Sequence, residues 1–396
     1  MNTDSSAPLP NPSVFHRDTL GARLREADVP VIAKAAMPHG SIGFTLVDAG
    51  YSVSYYPSEQ GIEIREDDKA DTLIALSAEN WWGIVKDLET APALIYGGRL
   101  SDGCRGDVVQ FMHWEPMLRS LYTGLPLYPA DHALLLTDQG GEALNLLQRF
   151  TLERDDMTQM RHYLNTTGYL LLGDVFGEAE VKEMVAAGDT LRHAATEDDQ
   201  SSWWGKDREG NAIVTRVLNG GDHPYLHALA SDPRIAAMQS LMPPGLKGEN
   251  PDDIDAVTVL FKTPEMVEGL SDLPWHRDCG MGGHAVMCPV INLSIYLADA
   301  TPASGELRFL PGSHRYATPN PGEDDGISIP AKAGDVTLHF GDVMHGAPAP
   351  QGTTGPFRSS ILLSFKPDFE NHRGDRHYND VLLDDGDGFV SALPGK

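Results

Sequence analysis

Short alternating apolar runs and longer runs at helical spacing divide the chain into two regions of different texture. In residues 40–125 the pattern predicts strand, strand, strand, helix, strand, helix. Ser52–Tyr56 and Ile62–Ile64 are expected to form a hairpin, and Ser77 is expected to cap the first helix. The pattern therefore predicts a small two-layer α/β domain at residues 15–125.

The second region begins after a connector at residues 126–152, which contains several Pro and Gly residues. Helices are predicted at 156–164 and 178–193, and an irregular polar loop is predicted at 203–223. Further on, short apolar runs are separated by Gly, Pro, Asp and Ser, and each is expected to form a strand. These strands are predicted at 257–261, 290–297, 307–310, 335–339 and 360–365. Their number and spacing favour a sandwich or barrel-like β domain at residues 153–396.

Composition limits the classes of partner. The chain has 396 residues and a formal net charge of −27, which disfavours nucleic acid and anionic membranes as partners. Its three cysteines form no zinc-like pair and fit a reducing cytoplasm. Residues 1–14 resemble no secretory signal and are expected to be disordered, and no run of 18 apolar residues predicts a membrane-spanning helix. The oligomeric state stays open.

The candidate chemistry centres on Trp275-His276-Arg277-Asp278, with His345 following 67 residues after Asp278. In a strand, residues i and i+2 point to the same face, so His276 and Asp278 could reach one metal ion while Arg277 points away. With His345, they would form a two-histidine, one-carboxylate set. Such a set suits non-haem Fe(II), because it occupies three octahedral positions and leaves three open.

The ordered motifs of the C-terminal two thirds resemble the phytanoyl-CoA dioxygenase family of Fe(II)- and 2-oxoglutarate-dependent oxygenases. The resemblance rests on Gly168-Tyr169-Leu170-Leu171-Leu172, His276-Arg277-Asp278, Gly305-Glu306-Leu307, Pro311-Gly312-Ser313-His314, Ala333-Gly334-Asp335, His345-Gly346 and Arg358-Ser359-Ser360. It implies an α+β chain whose C-terminal domain is a double-stranded β-helix, of the jelly-roll or cupin-like type, with flanking helices. It also implies that His276, Asp278 and His345 are the iron ligands.

The resemblance further implies a site for the co-substrate 2-oxoglutarate. Arg358 fits its distal carboxylate, because a guanidinium group binds carboxylates in a bidentate, geometry-specific way. Ser360 would share that face and add one hydrogen bond. Lys262 is a possible second contact, with a surface lysine as the alternative. Asn292 is a further candidate for contact with a co-substrate carboxylate.

The implied reaction consumes O2, converts 2-oxoglutarate to succinate and CO2, and hydroxylates a C–H bond. Asp278 favours hydroxylation over halogenation, since related halogenating enzymes replace this carboxylate with a small residue. Desaturation or ring formation would use the same ligands. Trp203, Trp204 and Trp275 could line an apolar substrate pocket or simply pack in the core. Among the remaining histidines, His339 is either close to the metal ligands or part of the core, and His284 lies in a glycine-rich loop.

The front region resembles the lipid-binding domains of the sterol-carrier-protein type. The resemblance rests on Asp71 to Ser77 and on the following helix with Trp81 and Trp82. The alternative is an unrelated α/β packing module. The favoured substrate is therefore an aliphatic or bulky apolar small molecule, such as a lipid, an acyl thioester, a steroid-like ring or a natural-product intermediate. There are two alternatives. One is the same chemistry on a small polar substrate such as an amino acid, and the other is a lipid carrier whose oxygenase domain is inactive.

Overall fold

The computed structural model describes residues 10–26, 28–129, 131–263, 266–268, 273–279, 290–318, 321–322 and 325–367. The chain divides into two compact units. The first unit runs to Pro129 and also includes a short segment that begins at Arg315, and the second contains most of the remaining chain. His284 lies outside the described residues. No described helix is long and apolar enough to cross a membrane.

The first unit is built on a four-stranded sheet. Its strands are β1 (Ile42–Leu46), β2 (Tyr51–Ser58), β3 (Gly61–Arg65) and β4 (Thr72–Leu76), in the order β3-β2-β1-β4, with β1 and β4 parallel. Its α-helices are α1 (Pro12–Val14), α2 (Gly21–Arg23), α3 (Val29–Ala36), α4 (Ala78–Val85), α5 (Ala91–Tyr96) and α6 (Val109–Thr123). A π-helix (Phe15–Leu20) and a 3-10 helix (Met37–His39) complete it.

The predicted hairpin and the cap of α4 are confirmed. β2 and β3 pair antiparallel, and the Ser77 side chain accepts a hydrogen bond from the backbone N–H of Asn80. The strand predicted between the two helices is wrong, because this segment forms α5. Thr90 caps that helix, and a proline lies in its first turn, which favours a helix start. The helix α1 also shows that the disorder expected for residues 1–14 does not extend to Val14.

The second unit contains two sheets. The strands of the larger sheet are β5 (Arg149–Phe150), β6 (Tyr169–Leu172), β7 (Ser202–Asp207), β8 (Ala212–Val217), β9 (Leu246–Gly248), β10 (Val257–Phe261), β11 (Met266–Glu268), β13 (Ile291–Tyr296), β16 (Val336–Phe340) and β18 (Ser359–Pro367). Those of the smaller sheet are β12 (Leu273–His276), β14 (Leu307–Phe309), β15 (Ile327–Ile329) and β17 (His345–Ala347). The larger sheet runs β11-β7-β8-β10-β18-β13-β16-β6-β5, with β9 beside β18, and the smaller runs β12-β17-β14-β15.

These two sheets form the double-stranded β-helix that the sequence predicted, and helices flank it. The α-helices of this unit are α7 (Met157–Thr167), α8 (Glu178–Ala194), α9 (Pro224–Leu229) and α10 (Pro233–Gln239), and 3-10 helices lie at His132–Leu135, Gly220–Asp222 and Ser313–Arg315. Apolar side chains from α8 and from β6, β10, β13, β16 and β18 form one continuous core. This core holds the strands in place through one face of the sheet, and the opposite face of the same strands carries polar side chains.

Two expectations for this unit are corrected. The polar loop predicted at 203–223 contains the hairpin of β7 and β8, whose pairing shifts register between Trp203 and Trp204. That irregularity breaks the alternation by which a strand is recognised. The predicted connector at 126–152 also contributes to the fold, because β5 pairs parallel with β6 at the end of the larger sheet. Arg149 of β5 forms two hydrogen bonds to the buried carboxylate of Asp335.

Candidate active site

Two histidines converge because they are direct partners on adjacent strands. His276 at the end of β12 is opposite His345 at the start of β17, and their ring centroids are 4.2 Å apart. Directly opposed residues of an antiparallel pair project to the same face. The pairing shifts register between Leu273 and His276, which is the kind of irregularity that re-aims a side chain beside a functional site.

Asp278 reaches the same place in a different way from the one predicted. The strand ends at His276, so Asp278 is not the next residue on one strand face but part of the turn that follows. Its backbone N–H and that of Cys279 both donate to the carbonyl of Gly341, at 2.8 and 3.2 Å. A Cβ at Gly341 would lie 2.8 Å from the sulfur of Cys279, so this close approach requires a glycine.

The three side chains form a compact set of candidate metal ligands. One ligand atom from each of His276, Asp278 and His345 lies within 4.8 Å of the others. Nε2 of His276 is 3.4 Å from Oδ1 of Asp278, and Nε2 of His345 is 3.6 Å from Oδ2. Such a set can hold a divalent metal through two imidazoles and one carboxylate. The sequence-predicted triad is therefore assembled in the fold.

The charge states also suit metal binding. Burial raises the pKa of Asp278, but the nearby His345, His276 and His339 outweigh it and hold that pKa well below its usual range. Burial lowers the pKa of His345 to about 3, although Asp278 opposes the shift. Nδ1 of His345 lies 3.0 Å from the carbonyl of Val343, which can only accept, so Nδ1 carries the proton and Nε2 keeps its lone pair.

Arg277 points away from the site, as the strand argument expected. Its guanidinium group is buried and contacts Asp342, with Nε 3.2 Å from the backbone carbonyl and 3.4 Å from Oδ1. This contact fastens the His276–Asp278 segment to the turn after β16. The arginine is thus a support for the ligands and not a ligand-facing group.

Arg358 directly precedes β18, and Ser360 is the second residue of that strand. Arg358 is 7% exposed and Ser360 is fully buried. Burial raises the pKa of the Tyr296 hydroxyl, and the charge and hydrogen bond of Arg358 oppose that shift, which places the guanidinium group beside Tyr296. The Ser360 hydroxyl has no hydrogen-bond partner among the described residues. A buried hydroxyl of this kind costs about 1–3 kcal/mol unless a bound molecule satisfies it.

Lys262 and Asn292 have well-defined contacts of a different kind from those expected. The ammonium group of Lys262 is buried and donates to the carbonyls of Ala347 and Pro348, at 2.7 and 3.1 Å, just after His345. Lys262 is therefore not an exposed lysine, and it anchors the strand that carries His345. The amide of Asn292 donates to Oδ2 of Asp278 at 2.6 Å. Their contact with a co-substrate stays a prediction.

The three tryptophans for which the sequence left pocket lining or core packing open have contacts of their own. The indole of Trp275 donates to the carbonyl of Gly322 at 3.0 Å, and Trp203 packs beneath the guanidinium group of Arg216. Trp204 donates to the hydroxyl of Ser202 in the same hairpin. None of these contacts is made to the three candidate ligands, so the tryptophans give no support for an apolar pocket at the metal.

Three residues near the site were missed or left open by the sequence. His339 is buried, and its Nε2 lies 3.5 Å from Oδ2 of Asp278. Ser364 contacts Asn292, and Tyr296 lies beside Arg358. The alternation of each strand could have identified the last two, because Ser364 shares a strand face with Ser360, and Tyr296 shares one with Asn292.

Comparison with known proteins agrees with this geometry. The family described as phytanoyl-CoA dioxygenase matches residues 164–358. No curated protein matches the chain at a significant level.

Three solved structures show more distant similarity. EvdMO1 has a TM-score of 0.43 and 21% identity over 54% of this chain and 50% of its own, so the chain spans about half of its length. SnoN, a non-heme alpha ketoglutarate dependent epimerase from nogalamycin biosynthesis, has a TM-score of 0.43 and 20% identity over 61% of this chain and 90% of its own. EctD from S. alaskensis, crystallised with bound Fe, has a TM-score of 0.42 and 22% identity over 54% of this chain and 78% of its own.

Proposed function

Because residues 164–358 place the chain in the phytanoyl-CoA dioxygenase family of Fe(II)- and 2-oxoglutarate-dependent oxygenases, we propose that it hydroxylates a small molecule. The observation that carries the proposal is the convergence of His276, Asp278 and His345, whose ligand atoms lie within 4.8 Å of one another. When bound, iron and 2-oxoglutarate supply O2-dependent C–H oxidation with release of succinate and CO2. The protein supplies binding, orientation and exclusion of water.

The residues present fit both groups. A neutral His345 and an ionised Asp278 are the protonation states that a metal requires. Just before β18, the buried Arg358 provides a fixed cation for the distal carboxylate of 2-oxoglutarate. The Ser360 hydroxyl, which lacks a hydrogen-bond partner among the described residues, provides a donor. We assign the iron to the first set and the co-substrate carboxylate to the second.

The proposed substrate is an aliphatic or bulky apolar molecule, captured with help from the first unit. Support comes from the family and from the resemblance of the sequence of the first unit to sterol-carrier-type domains, and the tryptophan contacts add none. The first unit has the predicted two-layer character, with helices and a sheet enclosing an apolar core. Hydroxylation is the proposed reaction because Asp278 supplies the carboxylate that halogenating relatives lack.

The decisive experiment measures succinate formation from Fe(II), 2-oxoglutarate and O2 against a panel of lipids, acyl thioesters, polycyclic compounds and amino acids. Succinate release should increase with the correct substrate and should be lost in His276→Ala and Asp278→Ala. The exposed pair His227 and Asp252, 3.0 Å apart, provides matched controls, and His227→Ala and Asp252→Ala should retain turnover. Full turnover in the active-site variants would disprove the assignment. Turnover of an amino acid alone would favour the polar substrate.

Lipid capture by the first unit needs a test on the intact chain. The segment that begins at Arg315 belongs to the first unit, so removal of residues 1–125 would leave part of that unit behind, and a truncated chain is a poor reagent. Titration of the full chain with a fluorescent fatty acid should show saturable binding that an apolar substrate displaces. Failure to bind the probe would remove the capture role and leave the oxygenase assignment standing. Binding of lipid without binding of Fe(II) would instead favour the carrier.

A further inference from the structure

A row of polar side chains crosses the larger sheet and ends at the candidate metal-binding carboxylate. Ser364 of β18, Asn292 of β13 and His339 of β16 are direct partners on adjacent strands, so they share one face of the sheet. Ser364 Oγ is 2.8 Å from Asn292 Oδ1, and Asn292 Nδ2 is 2.6 Å from Oδ2 of Asp278. Nε2 of His339 lies 3.5 Å from the same oxygen.

The chemistry of the groups determines the direction of this chain of hydrogen bonds. An ionised carboxylate only accepts, so Asn292 must present its NH2 group to Asp278. Its carbonyl oxygen then faces Ser364, whose hydroxyl must donate. The amide therefore has one orientation, and the Ser364 hydroxyl maintains it. Because Asn292 lies on a strand that is paired on both sides, and not in a loop, the donor is held firmly in position.

The two oxygens of Asp278 are thereby made unequal. Each oxygen faces one imidazole, with Oδ1 3.4 Å from Nε2 of His276 and Oδ2 3.6 Å from Nε2 of His345. The Asn292 amide, however, donates to Oδ2 and so occupies one of the lone pairs of that oxygen. A carboxylate that binds a metal through one oxygen occupies one coordination position, and one that binds through both occupies two. With two histidines, one-oxygen binding leaves three positions of an octahedron open, and two-oxygen binding leaves two.

We propose that Asn292, oriented by Ser364, is a positioning residue that restricts Asp278 to binding the metal through Oδ1. The inference rests on the proposed function. It assigns Asn292 to the carboxylate ligand and not to the co-substrate. Two open positions suffice for 2-oxoglutarate, and the third is the one that O2 needs. Loss of the amide should therefore preserve binding of iron and 2-oxoglutarate but slow the reaction with O2.

The test uses the visible charge-transfer band of the anaerobic complex with Fe(II) and 2-oxoglutarate. In Asn292→Leu, a change of similar size that removes the donor, the band should form with nearly the wild-type Kd for 2-oxoglutarate. After mixing with O2, succinate formation without added substrate should be slower by about 10-fold or more. A merely structural role would lower the thermal unfolding temperature or abolish the band, and would not separate binding from the reaction with O2.

A second pair of variants guards against misfolding of Asn292→Leu. Ser364→Ala removes the hydroxyl that orients the amide, and Ser359→Ala removes a hydroxyl of the same strand that donates to the carbonyl of Leu260. The first should slow the reaction with O2, and the second should not. The inference would be overturned by equal rates of reaction with O2 in these two variants. It would also be overturned if a folded Asn292→Leu either reacted with O2 at the wild-type rate or failed to form the band. Absence of the band in the wild-type protein would instead refute the proposed function.

Discussion

A buried histidine in the first unit gives the chain a predictable sensitivity to acid. His16 is 5% exposed, and its ring stacks on Trp81 with centroids 5.0 Å apart. Nδ1 donates to the carbonyl of Pro12, and Nε2 accepts from the hydroxyl of Tyr55, each at 2.7 Å. Burial lowers the pKa of His16 from 6.5 to about 4, although the Pro12 hydrogen bond and Glu66 oppose the shift.

The sign of the effect follows from that direction. Above pH 6.5 both the folded and the unfolded states are neutral at His16, so it contributes no pH dependence. Between pH 6.5 and about 4 the unfolded chain binds the proton first, and the free energy of unfolding falls by roughly 1.4 kcal/mol for each pH unit. The loss from this group reaches about 3 kcal/mol at pH 4 and increases no further below it.

Hydrogen exchange measured by mass spectrometry on peptides from β1–β4 is the suitable assay, because it reports on this unit separately. His16→Gln keeps one donor and one acceptor but does not titrate. At pH 7 the variant should be less stable than the wild type, and the difference should shrink by about 3 kcal/mol towards pH 4. A difference that stays constant over this pH range would refute the assignment of His16 as a buried neutral group.

Three further predictions concern the second unit. Arg149→Ala should lower the free energy of unfolding of this unit by about 3 kcal/mol in urea, because the buried carboxylate of Asp335 loses its bidentate partner. A loss below about 1 kcal/mol would contradict this prediction. Lys262→Met should weaken Mn(II) binding by displacing His345, whereas an effect on 2-oxoglutarate binding alone would support the predicted co-substrate contact instead. Ser360→Ala should raise the melting temperature of the unliganded protein and weaken 2-oxoglutarate binding about 10-fold. If calorimetry shows an unchanged affinity for 2-oxoglutarate, the hydroxyl is not part of the co-substrate site.

The parts of the fold and site that depend on local pattern could be predicted from the sequence. The strands of the β-helix alternate or form short apolar runs, and the histidines and carboxylate follow an order that one family shares. The hairpin at Ser202–Val217 was missed because a register shift at its two tryptophans disrupts the alternation. The helix Ala91–Tyr96 was missed although Thr90 and the following proline marked its start.

Contacts between distant segments were the least predictable. The sequence suggested Lys262 and Asn292 as co-substrate contacts, because both residue types can bind carboxylates. In the structure Lys262 donates to the carbonyls of Ala347 and Pro348, and Asn292 donates to the carboxylate of Asp278. These contacts depend on strand pairing over more than 10 residues of separation, and a co-substrate contact of either residue stays a prediction. Residue type alone gives no information about which of several possible acceptors the fold will present.

The pairing of His276 with His345 makes the metal site a reporter of strand register. A slip of one residue between β12 and β17 would turn His345 to the opposite face of the sheet and leave the carboxylate with one imidazole. A bound metal would therefore act as a cross-link between two short strands and would oppose that slip. Metal affinity and correct pairing are thus linked, so any variant that shifts the smaller sheet should be detected first as a loss of metal.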